Sequence, residues 1–195
     1  MPGERITEAD LTDKFKCSRG PAREAIVQLC KEGFISIAEN KGAVVTKISP
    51  EEIDDYYQIL SLLEGKAVEL ATSNLTDNDF EKLHLINKSL KELVYDDPDY
   101  LDEWCVRNSA FHEIFRIRCG NSKMRLVIKE IREKIYRYRY RSLLSTENEK
   151  YIYDHALILK HVMDGNSVAA GKEMEQHILR AKNVLKKFLS YNKII

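Results

Sequence analysis

Residues 17–45 read "CSRGPAREAIVQLCKEGFISIAENKGAVV", and this stretch decides the fold. Ser18 stands where a helix wants its N-cap, because a serine hydroxyl accepts an orphan backbone N–H of the first turn. Pro21 is tolerated in that turn, where its missing N–H costs little. Ala25, Ile26, Leu29 and Cys30 recur at helical spacing, and Gly33 ends the run. The pattern then changes to period two. Phe34, Ile35 and Ile37 lead to a polar turn, Glu39-Asn40-Lys41-Gly42, followed by Val44, Val45 and Ile48. This predicts a β-hairpin with Gly42 in the turn. Upstream, Thr7 and Asp10 have the spacing of a capping box, with Asp in place of Glu, and predict a short helix from Glu8 to about Phe15. Two helices, a tight turn and a hairpin make a winged helix-turn-helix whose second helix opens at Ser18.

In such a fold the first turns of the second helix face the major groove of DNA, and the turn before it meets the phosphates. Arg19 and Arg23 are four apart and share one helical face. An arginine fork takes a guanine edge with about 1–3 kcal/mol of discrimination. Ser18 and the free N–H groups of the first turn suit a phosphate. Gly20 and Ala22 are small enough to let the helix sit deep. Lys41 and Gly42, at the hairpin tip, reach the flanking minor groove or a phosphate. The bland alternative is that both arginines are solvated surface charges beside Glu24.

Bulk composition narrows the class. The chain has 195 residues, with 44% hydrophobic and 32% charged residues, as expected of a soluble, mostly helical protein. Its formal net charge is zero, which argues against a simple polyelectrolyte. Residues 1–48 carry eight bases and seven acids, yet the bases from Lys14 to Arg23 cluster. No apolar run is long enough for a membrane span, and the polar N-terminus lacks a secretory signal. The four cysteines have no C-x-x-C spacing, so reduced thiols in a cytoplasm are expected.

From Ser49 onward the sequence reads as helix. Ser49, Pro50 and Glu52 form a strong start signal, and Ile53, Tyr56, Tyr57, Leu60, Leu63, Ala67 and Leu70 supply an apolar face. Five more helices are predicted: one opening at Thr76 and ending before Asp96, and then about Asp99–Cys119, Ser122–Leu144, Glu147–Met163 and Ser167–Leu189. The strand-to-helix change sets the expected domains at 1–48 and 49–195.

Of the five histidines, each alone reads first as a surface or satisfied core residue. Asn108 and His112 are i and i+4 on one helix face, while His155 and His177 lie on two later helices. A bundle can bring such side chains together. Three imidazoles and one oxygen are a transition-metal set, and three structural histidines are the alternative. "REKIYRYRYRSLL" (132–144) alternates arginine and tyrosine, but alternation gives no single face on a helix. Ile128, Ile131, Ile135 and Tyr138 supply the core stripe there. No nucleophile–base pair and no glycine-rich phosphate loop is legible. Glu113 adjoins His112 in sequence but projects from another face, so a metal-dependent enzyme is the weak reading.

The run from Pro2 to Ser49, above all "SRGPAREA" (18–25), resembles the DNA-binding half of the GntR family of bacterial transcription regulators. The helical region resembles the FCD domain of the FadR-type subfamily. The resemblance covers essentially the whole chain. It implies a cytoplasmic, homodimeric regulator of double-stranded operator DNA, a repressor in sense, answering to a small carboxylate-type effector. It also implies that Asn108, His112, His155 and His177 hold a divalent metal such as zinc or nickel. It places Arg132 and Arg139 at the effector cavity, where they meet a carboxylate. A metal-free regulator with structural histidines is the rival.

The sequence departs from the family in four places. Most members carry one more helix before Pro-Gly, so the expected fold is a winged helix-turn-helix with a truncated first helix, which would expose part of the face behind Leu11 and Ile26. Gly20 replaces the usual Thr. Asn108 replaces the common Asp, removing a negative charge and weakening the hold on the ion. Leu60 stands where an arginine often precedes the glutamate, here Glu64.

Overall fold

The computed structural model describes residues 3–38, 42–143 and 148–193. They form two compact units, one ending at Ser49 and the other running from Pro50 to Lys193.

The first unit contains strand β1 (Arg5–Ile6), helices α1 (Glu8–Phe15) and α2 (Arg19–Lys31), and strands β2 (Ile35–Ala38) and β3 (Gly42–Val45). Helix α1 starts at the expected capping box, with Thr7 and Asp10 satisfying each other's backbone N–H groups. Gly33, at φ 77, turns the chain out of α2 in a conformation that costs glycine little. The hairpin is antiparallel, with Ile35 opposite Val45 and Ala38 opposite Gly42. A third strand was not anticipated. β1 pairs antiparallel with β3, Arg5 opposite Val44, in the sheet order β1-β3-β2. Two residues carry too little periodicity to read as a strand. This is a winged helix-turn-helix, as expected.

The second unit is all helical: α3 (Pro50–Ala71), α4 (Asp77–Lys91), α5 (Tyr100–Arg118), α6 (Ser122–Ser142), α7 (Asn148–Met163) and α8 (Ser167–Tyr191). Helix α4 opens on a second capping box, Thr76 with Asp79. The core holds Tyr57, Leu60, Trp104, Phe111, Ile128, Ile135, Ile158 and Met174, each almost fully buried. The apolar stripe of α3 is rotated from the expected one. Ser61, Glu64, Gly65 and Val68 are buried, whereas Leu70 is exposed. Gly65 explains the rotation. A Cβ there would lie 2.8 Å from the Gly171 carbonyl oxygen, and one on Gly171 would lie 2.8 Å from the Gly65 oxygen. Backbone meets backbone where α3 crosses α8, so only glycine fits at either position.

Candidate functional site

In the first unit, Arg19 and Arg23 are exposed one turn apart on α2. The inward stripe is Ala22, Ile26, Leu29 and Cys30, and Ala25 is exposed. Ala22, read as a groove-facing residue, is in fact 2% exposed and packs into the unit's core. Ser18 has the extended backbone of an N-cap, but its hydroxyl makes no capping hydrogen bond. No acidic residue lies in the first turn of α2, so its N–H groups keep their positive end uncompensated. Gly20 is exposed, with nothing within 4 Å of where a Cβ would sit. Gly42 begins β3 at φ 72, a conformation that favours glycine, and Lys41 lies outside the described residues. The Arg5 guanidinium passes 3.6–3.8 Å from the position of a Gly42 Cβ. Arg5 therefore adds a cation to the wing, which only the pairing of β1 with β3 reveals.

In the second unit, α5 turns one face inward at Trp104, Asn108, Phe111, His112 and Phe115, an i, i+4, i+7 series. His155 projects from the buried face of α7, between Tyr151 and Ile158, and His177 from that of α8, between Met174 and Ile178. All three histidines are 0% exposed, and one ligand atom from each lies within 4.8 Å of the others. The ring of His155 stacks on Phe111 at 3.8 Å and 9°, which fixes its plane. Both nitrogens of His112 and of His155, Nε2 of His177 and Oδ1 of Asn108 have no hydrogen-bond partner among the described residues. Leaving one such group unsatisfied costs about 1–3 kcal/mol, and five of these six atoms belong to the three clustered rings.

The donor set fits a divalent ion. Imidazole nitrogens bind zinc at about 2.0–2.1 Å, so ligand atoms now within 4.8 Å of one another would draw closer to share one ion. Burial pushes the His112 and His155 pKa values well below the ordinary imidazole value, reinforced at both by His177. Burial also lowers that of His177, although Asp154 opposes the shift. The rings are thus neutral, as ligation requires. His177 Nδ1 lies 3.1 Å from Asp154 Oδ2, which in turn accepts from Arg180 Nε at 2.8 Å. With the proton on Nδ1, Nε2 presents its lone pair to the cluster.

A charged network lies beside the cluster. Glu64, 1% exposed, accepts from Arg116 through Nε at 3.1 Å to both oxygens and through Nη2 at 2.6 Å. Arg132 Nη1 reaches the same carboxylate at 3.4 Å. Burial pushes the Glu64 carboxyl up, but Arg116 and Arg132 together hold it below its ordinary value. Arg132 is brought down to about 9 by burial and by the neighbouring Arg116, with Arg139 adding to the effect. Sequence reasoning placed no role on Glu64 except by resemblance. The available signal was an acid inside the stripe running from Leu60 to Ala67.

Between α5 and α6 opens a cleft of about 600 Å³, lined by Trp104, Cys105, Asn108, Arg132, Tyr136 and Arg139 among others. Asn108 belongs both to this cleft and to the α5 turn that carries His112. Arg132 and Arg139, read as effector residues, both line it. Among the described residues no ion-pair partner faces Arg139. Trp104 Nε1, on the α5 side of the cleft, and the buried Tyr57 hydroxyl of α3 have no hydrogen-bond partner among the described residues. His84 and His161 lie away from the cluster, and no helix is long and apolar enough to cross a membrane among the described residues.

Comparison with known proteins places both units. Residues 1–45 match the family described as bacterial regulatory proteins, gntR family, and residues 55–180 match the FCD domain. The HTH-type transcriptional repressor GlaR of Escherichia coli is 27% identical over 201 residues, covering 98% of this chain and 90% of that protein. An HTH-type transcriptional regulator of Bacillus subtilis, YdhC, is 29% identical over 183 residues, covering 91% and 78%. Among solved structures, E. coli McbR/YncC superposes with a TM-score of 0.79 at 21% identity, over 95% of this chain and 88% of that one.

Proposed function

The chain belongs to the GntR family of bacterial transcription regulators, in the FadR-type subfamily that carries an FCD domain, and from that premise we propose that it is a metabolite-controlled repressor. Its families are regulators, not enzymes. Residues 1–48 are the DNA-binding domain and residues 49–195 the effector and dimerisation domain. Arg19 and Arg23 read base edges of a palindromic operator, and Ser18 and Gly20 approach the phosphates. Lys41 and Gly42, with Arg5 beside them, meet the flank. A homodimer sets two α2 helices in successive major grooves. The sense of regulation is carried over from the E. coli relative described as a repressor.

In the helical domain, His112, His155, His177 and Asn108 hold a divalent transition metal, zinc or nickel. Bound there, such an ion supplies Lewis acidity and open positions for a carboxylate. Arg132 and Arg139 supply the charge-assisted hydrogen bonds that orient a small organic acid in the cleft. Its binding biases the helical domain between two arrangements and so alters DNA affinity. A coupling of about 1–3 kcal/mol is the usual scale.

The observation that carries this reading is the cluster of unsatisfied nitrogens on three buried histidines next to an arginine-lined cleft. The test is operator binding by fluorescence anisotropy, using DNA selected from a random pool. The account predicts tight binding that Arg23→Ala weakens. It also predicts that some member of a panel of small organic acids shifts the wild-type curve but not that of His155→Ala. Operator binding indifferent to Arg23→Ala, or an acid response intact in His155→Ala, contradicts it.

A further inference from the structure

The cleft between α5 and α6 has two unlike halves. The helices run antiparallel, tied near one end by Arg125 Nε to Glu113 at 2.7 Å and near the other by the Tyr140 hydroxyl to Asp102 at 2.9 Å. The half beside Glu113 is charged, and its charges cancel in pairs. Arg125 and Arg116 both meet Glu113, and Lys129 faces Glu133 at 3.7 Å. The half beside Tyr140 is lined by Trp104, Cys105, Tyr136, Tyr140 and Leu143. Trp104 and Leu143 are buried there, whereas the Tyr136 ring is 54% exposed and lies 6.1 Å from that of Tyr140. The Tyr140 hydroxyl is engaged by Asp102. Burial raises the Cys105 thiol above its ordinary pKa, so that it forms an uncharged part of the wall.

One cation stands in this aromatic half, Arg139, and no ion-pair partner faces it among the described residues. One buried donor, Trp104 Nε1, has no acceptor among them either. At about 600 Å³ the cleft has room for a ligand with a sizeable body, far beyond an acid as small as acetate. Building on the effector reading above, we propose that the acid this chain answers to is an aryl monocarboxylate, its carboxylate on Arg139 and its ring against Tyr136 and the wall of Trp104 and Cys105. Aromatic rings in offset or edge-to-face contact gain more than their buried area alone provides. The second carboxylate of an aliphatic diacid would meet only cations that already have partners. The hydroxyls of a sugar acid would be buried against apolar walls without enough partners of their own. Tyr136 is thus the residue that sets specificity, and Arg139 the one that sets charge.

The test is calorimetric titration of the full chain, with Zn²⁺ present, with phenylacetate, cyclohexylacetate and succinate. Trp104 is the one tryptophan of the chain, so its emission reports the arrival of a ring beside it. The same titrations are run on Tyr136→Ala and Arg139→Gln, with thermal melts to verify folding. Phenylacetate should bind about tenfold or more tighter than succinate, and several times tighter than cyclohexylacetate. It should also shift the Trp104 emission. Tyr136→Ala should lose about three- to tenfold of the phenylacetate affinity and none of that for succinate. Succinate or cyclohexylacetate binding as tightly as phenylacetate overturns the proposal, as does phenylacetate binding that leaves the Trp104 emission unmoved. These results leave the effector cleft standing, and they come from wild type alone. No binding of any of the three acids, or affinities that a folded Arg139→Gln does not change, removes the effector reading and this inference with it.

Discussion

His177 on α8 is bonded through Nδ1 to Asp154 on α7, at 3.1 Å to Oδ2, and this contact aims Nε2 at His112 and His155. The relationship spans two helices, and an ionised Asp154 favours the proton on Nδ1, leaving the Nε2 lone pair free. Asp154 is itself steadied by Arg180. Partners of this kind influence a metal site nearly as much as the ligands do.

Asp154→Asn should therefore weaken Ni²⁺ or Zn²⁺ binding by about 10–100-fold without removing a ligand. Equilibrium dialysis with metal analysis measures it. Undiminished affinity would mean that the His177 ring is held by packing alone.

Arg23→Ala should cost about 1–3 kcal/mol of specific DNA binding and relax the preference at one base position of each half-site. Arg5→Ala should weaken binding uniformly across sequences and flatten the salt dependence. Anisotropy titrations against operator variants at several salt concentrations separate the two effects. A sequence-selective defect in Arg5→Ala would reverse the assignment.

Gly65→Ala should destabilise the helical domain by about 1–3 kcal/mol. The new Cβ meets the Gly171 carbonyl oxygen at 2.8 Å and the Glu175 side chain. Glu175 can swing away, whereas the backbone carbonyl cannot move without shifting α8. Urea unfolding measures the loss. Gly20→Ala, with open space around it, should leave stability almost unchanged.

Asp79 caps α4 and pairs with Arg118 at 2.7 Å. Burial pushes its carboxyl up, but hydrogen bonds from Arg118 and Thr76 bring it down to about 2, from an ordinary 3.8. A depressed folded-state pKa means stability that is fully present above the unfolded value and lost as pH falls through the folded one. The stability advantage of wild type over Asp79→Asn should shrink between about pH 4 and pH 2. Denaturation at stepped pH follows it, and a constant gap would show that the charge plays no part.

Much of this was legible in the sequence because local signals and tertiary packing agree. The capping boxes at Thr7 and Thr76, Pro50 at a helix start and Gly33 after α2 each act within a few residues. Asn108, His112, His155 and His177 stand out in the sequence on three helices, and the fold gathers the three rings. What escaped depends on partners distant in sequence. β1 exists only because β3 lies beside it. Glu64 is buried only because Arg116 and Arg132 meet it from two other helices. Ala22 faces inward where Ala25 was expected, since two alanines three apart give periodicity little to discriminate. Gly65 and Gly171 carry no local sign of the crossing they permit.

The most direct test of the metal-centred effector site is native mass spectrometry of the full chain in ammonium acetate, with zinc added and excess removed, beside its denatured mass. The account predicts a dimer carrying one divalent ion per chain, accompanied by acetate, and loss of that excess in His112→Ala. A folded dimer at its bare mass after exposure to both zinc and nickel would contradict the account. The three histidines would then be structural.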